Sequence, residues 1–280
     1  MRDAHNEFDL DDLVGHIMDG DRIAIATGFN GHFSGVAMNA TRALIRRGIR
    51  RLRVLCVPSS SIQVDMLIGA GCVASVEMGG IVLYEYGSAP RFTEAQAQGT
   101  IAVREATCPA ITAGLKASES GLPFMPVRGV LGSDVYRVRQ DEWKQIANPF
   151  DPAEQVAVIP AICPDIALFH APLADRHGNV WIGSRGSLKL MARAARRTLV
   201  TYDERYEGNL MEDPIRRAGV IGDAYITGIC RQPNGSWPLH GGERYPEDGE
   251  HMQRYADMAR TRQGFDDYLK AFVLEGGMPA

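Results

Sequence analysis

Runs of apolar residues alternate along the chain with amphipathic stretches, and this pattern predicts an α/β fold. DRIAIAT (residues 21–27) and RLRVLCV (residues 51–57) are typical of strands that are buried on both faces. Apolar residues at helical spacing from Val36 predict a helix that ends at Gly48, and RFTEAQAQG (residues 91–99) predicts another that ends at its glycine. Strands and helices that alternate at this spacing predict an open, mostly parallel sheet with helices on both faces.

The second half of the chain predicts further strands and one continuous sheet. VAVIPA (residues 156–161) follows directly on a polar stretch, so we expect it to continue the same sheet and residues 1–280 to form a single domain. SLKLMARAARR (residues 187–197) predicts a helix capped by Ser187, with arginines at the C-terminal end, where the helix dipole favours cations. The polar run at residues 232–250 predicts a long loop, and loops of that length are often functional.

Composition and charge argue against several classes of protein. A chain of 280 residues that is 45% hydrophobic can fill a substantial core, and a net charge of only −4 without a basic stripe argues against a nucleic-acid partner. No apolar run approaches the ~20 residues of a membrane span, and the acidic start fits neither a signal peptide nor a transit peptide, so we expect no membrane association. Five cysteines without a C-x-x-C pair fit reduced thiols and predict a cytoplasmic protein.

The glycine-rich loop after the first strand raises the question of a bound cofactor. Gly28, Gly31 and Gly35 have a G-x-x-G-x-x-x-G spacing, which differs from the G-x-G-x-x-G of dinucleotide sites, and no acidic residue ends the second strand. The G-K-[ST] of a phosphate-binding loop is also missing from the sequence. Two interpretations stay open: a tight structural turn, or a loop whose backbone contacts a ligand at the start of the following helix.

Polar residues at other predicted strand ends are candidate ligand contacts or ordinary surface groups. The serines at 59–61 follow the second strand, and Glu85 and Glu105 each end a strand-like stretch, at the edge where α/β sheets bind ligands. Gly132 and Ser133 form a turn that can present backbone N–H groups and a hydroxyl. For the two glutamates a solvated or salt-bridged side chain is the alternative. The histidines have no third partner at a zinc-site spacing, which predicts that no metal is bound.

Six segments of the chain, in order, resemble the α subunit of the family I CoA-transferases, in particular the α chain of glutaconate CoA-transferase. They are GDRIAIATGF (20–29), RRGIRRLRV (46–54), VDMLIGAGCV (64–73), GLPFMPVRGVLGSD (121–134), NPFDPAEQVAVIPAICPDIALFHAPLADRHGNV (148–180) and TRQGFDDYLKAFV (261–273). Together they extend over most of the chain. The sequence departs from the family pattern in the first loop, where Thr27-Gly28 replaces a glycine pair and one residue is added.

The resemblance implies the fold of the CoA-transferase (NagB/RpiA-like) superfamily and an enzyme that moves CoA between carboxylic acids by ping-pong kinetics. In this family a glutamate on a β-type chain attacks the acyl-CoA thioester. The Glu-Asn-Gly motif of that chain has no match here, so the nucleophile is expected on a β-type partner in a heterodimer or heterotetramer. The CoA thioester and a small carboxylic acid enter as substrates, and no permanently bound cofactor is implied.

For a subunit of this kind we expect residues in the strand-end loops and turns of this chain to contact substrate or CoA. These are Gly28, Phe29, Asn30, Gly31, Glu85, Tyr86, Ser88, Gly132 and Ser133. Two alternatives remain. Related heteromeric hydrolases of bacterial sterol breakdown open a steroid ring in a CoA thioester, and in such an enzyme Glu105 would be the catalytic base or nucleophile. The third hypothesis is a non-catalytic chain that binds a small ligand or regulates a partner.

Overall fold

The computed structural model describes residues 6–28 and 33–275, so Phe29, Asn30 and Gly31 of the predicted site lie outside the described residues. Within these ranges the strands are β1 (Arg22–Ala26), β2 (Leu52–Val57), β3 (Val73–Met78), β4 (Ala102–Glu105), β5 (Phe124–Val127), β6 (Lys144–Asn148), β7 (Asp151–Pro160), β8 (Ile166–Asp175), β9 (Val180–Trp181), β10 (Arg197–Tyr206), β11 (Val220–Ile221) and β12 (Gly228–Arg231).

The main sheet is open and mostly parallel, as the sequence predicts. In the described part of the chain, parallel strands follow the order β12-β10-β8-β1-β2-β3-β4, and β9 and β11 add an antiparallel extension beside β8. From β1 the chain builds outward to β4 on one side, and later strands build outward from β8 on the other. The strand order therefore reverses between β1 and β8, and open α/β sheets bind ligands beside such a switch point.

Helices cover both faces of this sheet. In the described ranges they are α1 (Leu10–Gly15), α2 (Met38–Arg47), α3 (Ile62–Gly69), α4 (Pro90–Gln98), α5 (Cys108–Glu119), α6 (Asp134–Val138), α7 (Gly186–Ala194), α8 (Gly249–Met258) and α9 (Arg262–Leu269). A short π-helical segment, Lys270–Leu274, follows α9. Helices α1 to α4, α8 and α9 pack on one face, whereas α5 and α7 pack on the other.

Successive side chains along the strands point to opposite faces of the sheet and form two hydrophobic cores. In β1, Ile23 and Ile25 point into the core with α2 and α3, whereas Ala24 and Ala26 point into the core with α5 and α7. Side chains of both sets are fully or almost fully buried. A strand covered on both faces has no solvent-facing set, which explains why residues 21–27 form a continuous apolar run.

The ends of the helices follow the sequence signals in two cases and differ in a third. Gly48 and Gly99 end α2 and α4 in the left-handed conformation, with φ of +73° and +65°, as predicted. The prediction that Ser187 caps its helix is wrong, because the residue at the cap is Arg185 and Ser187 lies inside α7. The backbone already turns before Ser187, since the N–H of Gly186 donates to the carbonyl of Ser184.

The expected continuous sheet is also wrong, because residues 156–160 of VAVIPA lie in β7 of a separate antiparallel sheet with the order β5-β7-β6. The chain reverses between β6 and β7, so the polar stretch before VAVIPA belongs largely to a hairpin and is not a linker. Ala157 and Ile159 of β7 nevertheless pack into the same core as α5. That residues 1–280 form one domain stays a prediction. Among the described helices, none has the length and apolar character that crossing a membrane requires.

Candidate active site

The carboxyl ends of β1, β2 and β3 bring three hydroxyl groups together. Thr27 follows β1, Ser59 follows β2, and Tyr84 begins a 3₁₀ turn after β3. Thr27 Oγ1 lies 3.1 Å from Tyr84 Oη and 3.3 Å from Ser59 Oγ, and each contact is a hydrogen bond in which either oxygen can donate. We call Thr27, Ser59 and Tyr84 the hydroxyl cluster. All three are partly exposed, so a ligand at this edge can reach them.

Tyr84 has an unusual backbone conformation. Its φ is +53°, in the left-handed region that a bulky residue rarely adopts. Such conformations cost roughly 1–3 kcal/mol and cluster at ligand sites. Burial raises the pKa of Tyr84, although its hydrogen bonds with Thr27 and Ser59 act in the opposite direction. The phenol is therefore protonated at neutral pH and can donate a hydrogen bond.

Arg185 binds the chain at two points, one just before the glycine-rich loop and one within it. Its Nη2 donates to the carbonyl of Thr27 and its Nη1 to the carbonyl of Phe33, each at 2.8 Å. The guanidinium also lies over the ring of Phe33, 5.7 Å from the ring centre. Burial lowers the pKa of Arg185, since only 6% of the residue is exposed. A buried cation is stable here because it hydrogen-bonds to carbonyl dipoles.

The long loop at residues 232–248 forms a second wall beside the hydroxyl cluster. Leu239 packs against Gly28, where an added Cβ would lie 2.9 Å from Leu239 Cδ1 and 3.3 Å from Ser61 Oγ. The carbonyl of His240 accepts a hydrogen bond from the N–H of Ser34 at 3.0 Å. Burial lowers the pKa of His240, so its imidazole is neutral at pH 7. A side chain at position 28 would therefore displace Leu239, which explains why glycine suits this position.

Of the predicted residues after β3, Tyr86 and Ser88 lie beside α4 and α8. Tyr86 donates to Glu247 Oε1 at 2.7 Å, which ties the turn to the long loop, and burial together with this bond raises the pKa of Tyr86. Tyr86 and Ser88 line an open cavity of about 630 Å³ between α4 and α8. Glu85 is exposed. The structure thus brings Tyr86 and Ser88 together, next to the hydroxyl cluster but not within it.

Glu105 ends β4 at the same edge of the sheet. Its side chain is exposed, and its carbonyl accepts from Arg139 Nη1 at 2.9 Å. Nearby, α5 begins with the exposed Cys108, and an added Cβ on Gly79 would lie 3.2 Å from both Cys108 Sγ and the carbonyl oxygen of Pro58. The ends of β2, β3 and β4 therefore form one continuous edge from the hydroxyl cluster to Glu105.

Gly132 and Ser133 precede α6, and Ser133 caps that helix. Its hydroxyl donates to the carbonyl of Val130 at 2.7 Å and accepts from the N–H of Tyr136 at 3.1 Å. Gly132 has a φ of +80°, which favours glycine. A substrate role for this pair stays a prediction.

Several residues of this site have no signal in the sequence that marks them as functional. Tyr84, Arg185, Leu239 and His240 belong to no sequence motif, and Arg185 meets Thr27 across 158 positions of the chain. The local signal for Tyr84 is its place just after a strand-like run. In chemical terms, the hydroxyl cluster offers neutral hydrogen-bond donors for a carbonyl or carboxylate oxygen, and it contains no carboxylate or thiol nucleophile. Among the described residues, no group of three or more His, Cys, Asp and Glu side chains is placed to hold a metal ion.

Sequence comparison relates the chain to several named proteins. It is 30% identical to the "cholesterol ring-cleaving hydrolase IpdA subunit" of Rhodococcus jostii, covering 94% of this chain and 90% of the relative. It is also 30% identical to the A-type subunit of "3-oxoadipate CoA-transferase" from Pseudomonas knackmussii, with 92% and 89% covered. An uncharacterized protein of Archaeoglobus fulgidus is 32% identical over 90% of this chain, which spans only 56% of that relative's length. Two of these names describe one subunit of a larger enzyme.

Solved structures share the fold. Glutaconate coenzyme A-transferase from Acidaminococcus fermentans superimposes with a TM-score of 0.87 at 24% identity, covering 97% of this chain and 90% of that chain. The decarboxylase AibA/AibB, as its C56S variant, superimposes with a TM-score of 0.80 at 29% identity, covering 96% of this chain and all of that one. The superfamily fold that the resemblance implies is thereby confirmed.

The family model described as "Coenzyme A transferase" matches residues 9–224, more than three quarters of the sequence. With the strand-end site, the fold and the sequence match in agreement, the chain belongs to the coenzyme A transferase family.

Proposed function

We propose that this chain is the α-type subunit of an acyl-CoA:carboxylate CoA-transferase whose nucleophilic glutamate lies on a β-type partner. The observation that carries the proposal is the hydroxyl cluster at the carboxyl ends of β1, β2 and β3, which offers hydrogen-bond donors but no carboxylate or thiol. A half-site of this kind suits a thioester or carboxylate oxygen and needs a reactive group from another chain. The relative named as the A-type subunit of 3-oxoadipate CoA-transferase supports the same type of chain.

In the proposed reaction the partner's glutamate attacks the thioester carbon of acyl-CoA, and the CoA thiolate leaves to give a mixed anhydride. The thiolate then attacks the glutamyl carbonyl of the anhydride, which releases the first acid as a carboxylate and leaves a glutamyl-CoA thioester. An acceptor carboxylate reverses these two steps and departs as the new acyl-CoA. The hydroxyl cluster donates hydrogen bonds to the oxyanion that forms when the carbonyl is attacked.

Within this proposal the predicted contact residues keep their roles as expectations. Gly28 with Phe29, Asn30 and Gly31 contributes backbone N–H groups to the acyl pocket. Glu85, Tyr86, Ser88, Gly132 and Ser133 face the substrate or the CoA chain. CoA takes part as a substrate, and no resident cofactor enters the scheme. The free state of all five cysteines supports the reducing cytoplasm as the place where the enzyme works.

The test is an acyl-CoA panel assayed with this chain co-purified with its β-type partner. CoA that moves to a new acid only when an acceptor carboxylate is present supports the transferase. Free CoA released at the same rate without an acceptor, or CO₂ released from the acyl group, contradicts it. Binding of acyl-CoA without any turnover favours the third hypothesis, a ligand-binding or regulatory chain.

A ring-opening hydrolase is the second candidate. Two observations favour it: the relatives named "cholesterol ring-cleaving hydrolase IpdA subunit" in Rhodococcus jostii and Mycobacterium tuberculosis, and the exposed Glu105 at the end of β4. As a base or nucleophile, Glu105 would be indispensable for hydrolysis. If the enzyme is a ring-opening hydrolase, Glu105→Gln should abolish turnover of a CoA thioester whose acyl group contains a ring. If it is a transferase, the same variant should stay largely active. Glu119→Gln, a surface carboxylate paired with Arg193 at the end of α5, is the matched control. Wild-type turnover by Glu105→Gln removes the hydrolase candidate.

A further inference from the structure

Arg185 has a geometry that links two separate stretches of backbone. Its two terminal nitrogens bind the carbonyls of Thr27, just before the glycine-rich loop, and of Phe33, within it, at 2.8 Å each. The planar guanidinium presents its donors in a fixed fork, so both bonds constrain the distance between the two carbonyls. A lysine ammonium on a flexible stem is a single point and cannot impose the same spacing.

Glycine at position 35 allows this close approach. Its φ is +70°, and an added Cβ would lie 3.2 Å from Leu188 Cδ1 and 3.5 Å from Arg185 Nη2. The start of α7 can therefore pack directly against the segment after β1. Gly35, which has no side chain, lies where the guanidinium crosses this segment. The local backbone conformation therefore leaves room for Arg185.

The constraint passes from Arg185 to the hydroxyl cluster through Thr27. The carbonyl of Thr27 binds Arg185, and the hydroxyl of the same residue contacts Ser59 and Tyr84. Any rotation of the backbone at Thr27 moves its hydroxyl relative to the other two. The donors of the cluster are spaced at 3.1 Å and 3.3 Å, so a shift of about 1 Å is enough to break the arrangement.

We propose that Arg185 is a positioning residue for the reaction that this protein catalyses. It fixes the carboxyl end of β1, and the hydroxyl cluster thereby keeps the geometry in which it faces the substrate oxygen. It touches no reacting atom. This inference rests on the proposed function, because it assumes that the hydroxyl cluster contacts substrate. If the chain belongs to a ring-opening hydrolase instead, Arg185 has the same role wherever the hydroxyl cluster contacts the substrate oxygen.

The test compares Arg185→Ala and Arg185→Lys in the complex with the β-type partner. We expect kcat to fall about 100-fold for Arg185→Ala, with a smaller change in KM, because misplaced donors fail mainly in the transition state. Millimolar guanidinium ion should restore part of kcat in a saturable manner by occupying the space of the lost side chain. Arg185→Lys should stay impaired and should not respond to guanidinium.

The matched control is Arg47→Ala. Arg47 also binds two main-chain carbonyls, those of Val14 and Ile17 at 2.7 Å each, but these belong to the α1 region. We expect its kcat to equal that of the wild type with and without guanidinium. Wild-type kcat in Arg185→Ala, an absence of rescue in a folded complex, or failure of both Arg185 variants to form the complex overturns the positioning role. A wild-type complex without turnover contradicts the proposed function instead, so the two failures are distinguishable.

Discussion

The hydroxyls of Thr27 and Tyr84 lie 3.1 Å apart, although 57 positions separate these residues in the chain. The contact forms because β1 and β3 flank β2 in one parallel sheet and end at the same edge. It gives this edge of the sheet a cluster of neutral hydrogen-bond donors.

Thr27→Val should lower kcat by about 100-fold, since the isosteric side chain keeps the packing but removes the hydroxyl that joins Ser59 and Tyr84. Thermal unfolding should change little, because the site is partly exposed. Thr198→Val is the control: its hydroxyl donates to Ala192 at the opposite end of the sheet, so that variant should lose stability and keep its specific activity. Equal activity in the two variants would contradict a role for the cluster.

Gly28→Ala should displace Leu239, because the added methyl would lie 2.9 Å from Leu239 Cδ1. We expect lower activity and a modest loss of thermal stability in the single variant. The double variant Gly28→Ala/Leu239→Ala makes room for the methyl and should recover part of the lost activity, and steady-state kinetics on all three proteins measures this coupling. Gly15→Ala, where an added Cβ meets nothing within 4 Å, should behave as the wild type. Strictly additive losses in the double variant would show that the two residues do not compete for the same space.

Tyr86→Phe should loosen the loop at residues 232–248, because it removes the hydrogen bond to Glu247 that ties this loop to the turn after β3. The expected loss is about 1 kcal/mol in the free energy of unfolding. Hydrogen exchange should rise at the amides of the loop and stay unchanged in β6 and β7. Unchanged exchange throughout the loop would mean that other contacts hold it.

Buried Asp65 should make the stability depend on pH in an unusual direction. Its carboxylate accepts from Tyr255 Oη at 2.6 Å and from the N–H of Phe92 at 2.7 Å, yet burial raises its pKa from 3.8 to about 6. Between these two values the unfolded chain releases a proton that the folded chain keeps. The contribution of Asp65 to the free energy of unfolding should therefore fall as the pH rises from about 4 to 6, by about 3 kcal/mol in total.

Urea unfolding of the wild type and of Asp65→Asn at several pH values isolates this effect, because all other acidic groups are common to both proteins. The difference between the two proteins should change across the window from pH 4 to 6 and be constant above it. Asp257→Asn, which alters an exposed carboxylate paired with Arg260, should follow the wild type. Parallel profiles for wild type and Asp65→Asn would contradict the raised pKa.

Local patterns in the sequence predict the main sheet well. The apolar runs identify β1 and β2 correctly, because a strand that is buried on both faces needs a continuous run of apolar residues. Gly48 and Gly99 identify the ends of α2 and α4 correctly, because a left-handed helix end favours glycine. The assignment of VAVIPA to the main sheet failed for a physical reason. An apolar strand buries itself equally well in either sheet, and the choice depends on pairing with β5 and β6.

The candidate site is harder to predict from sequence. The glycine-rich loop and the serines at 59–61 stand out as strand-end features, and Ser59 does join the hydroxyl cluster. Arg185 and Leu239 carry no such mark, because an arginine or a leucine has the same local pattern whether it faces solvent, a core or a site. Their roles follow from contacts between segments more than 150 positions apart, which only the tertiary structure defines.

The wall that Leu239, His240 and Glu247 form beside the first strand has a consequence for the order in which the parts of the site are synthesised. The ribosome makes Thr27 early and this wall late, after β12 has emerged. All strands of the main sheet can exist before the pocket has its second side. A chain that has been synthesised only as far as β12 therefore carries the strand ends of the site without their second wall, and α8 and α9, which cover one face of the sheet, follow later still.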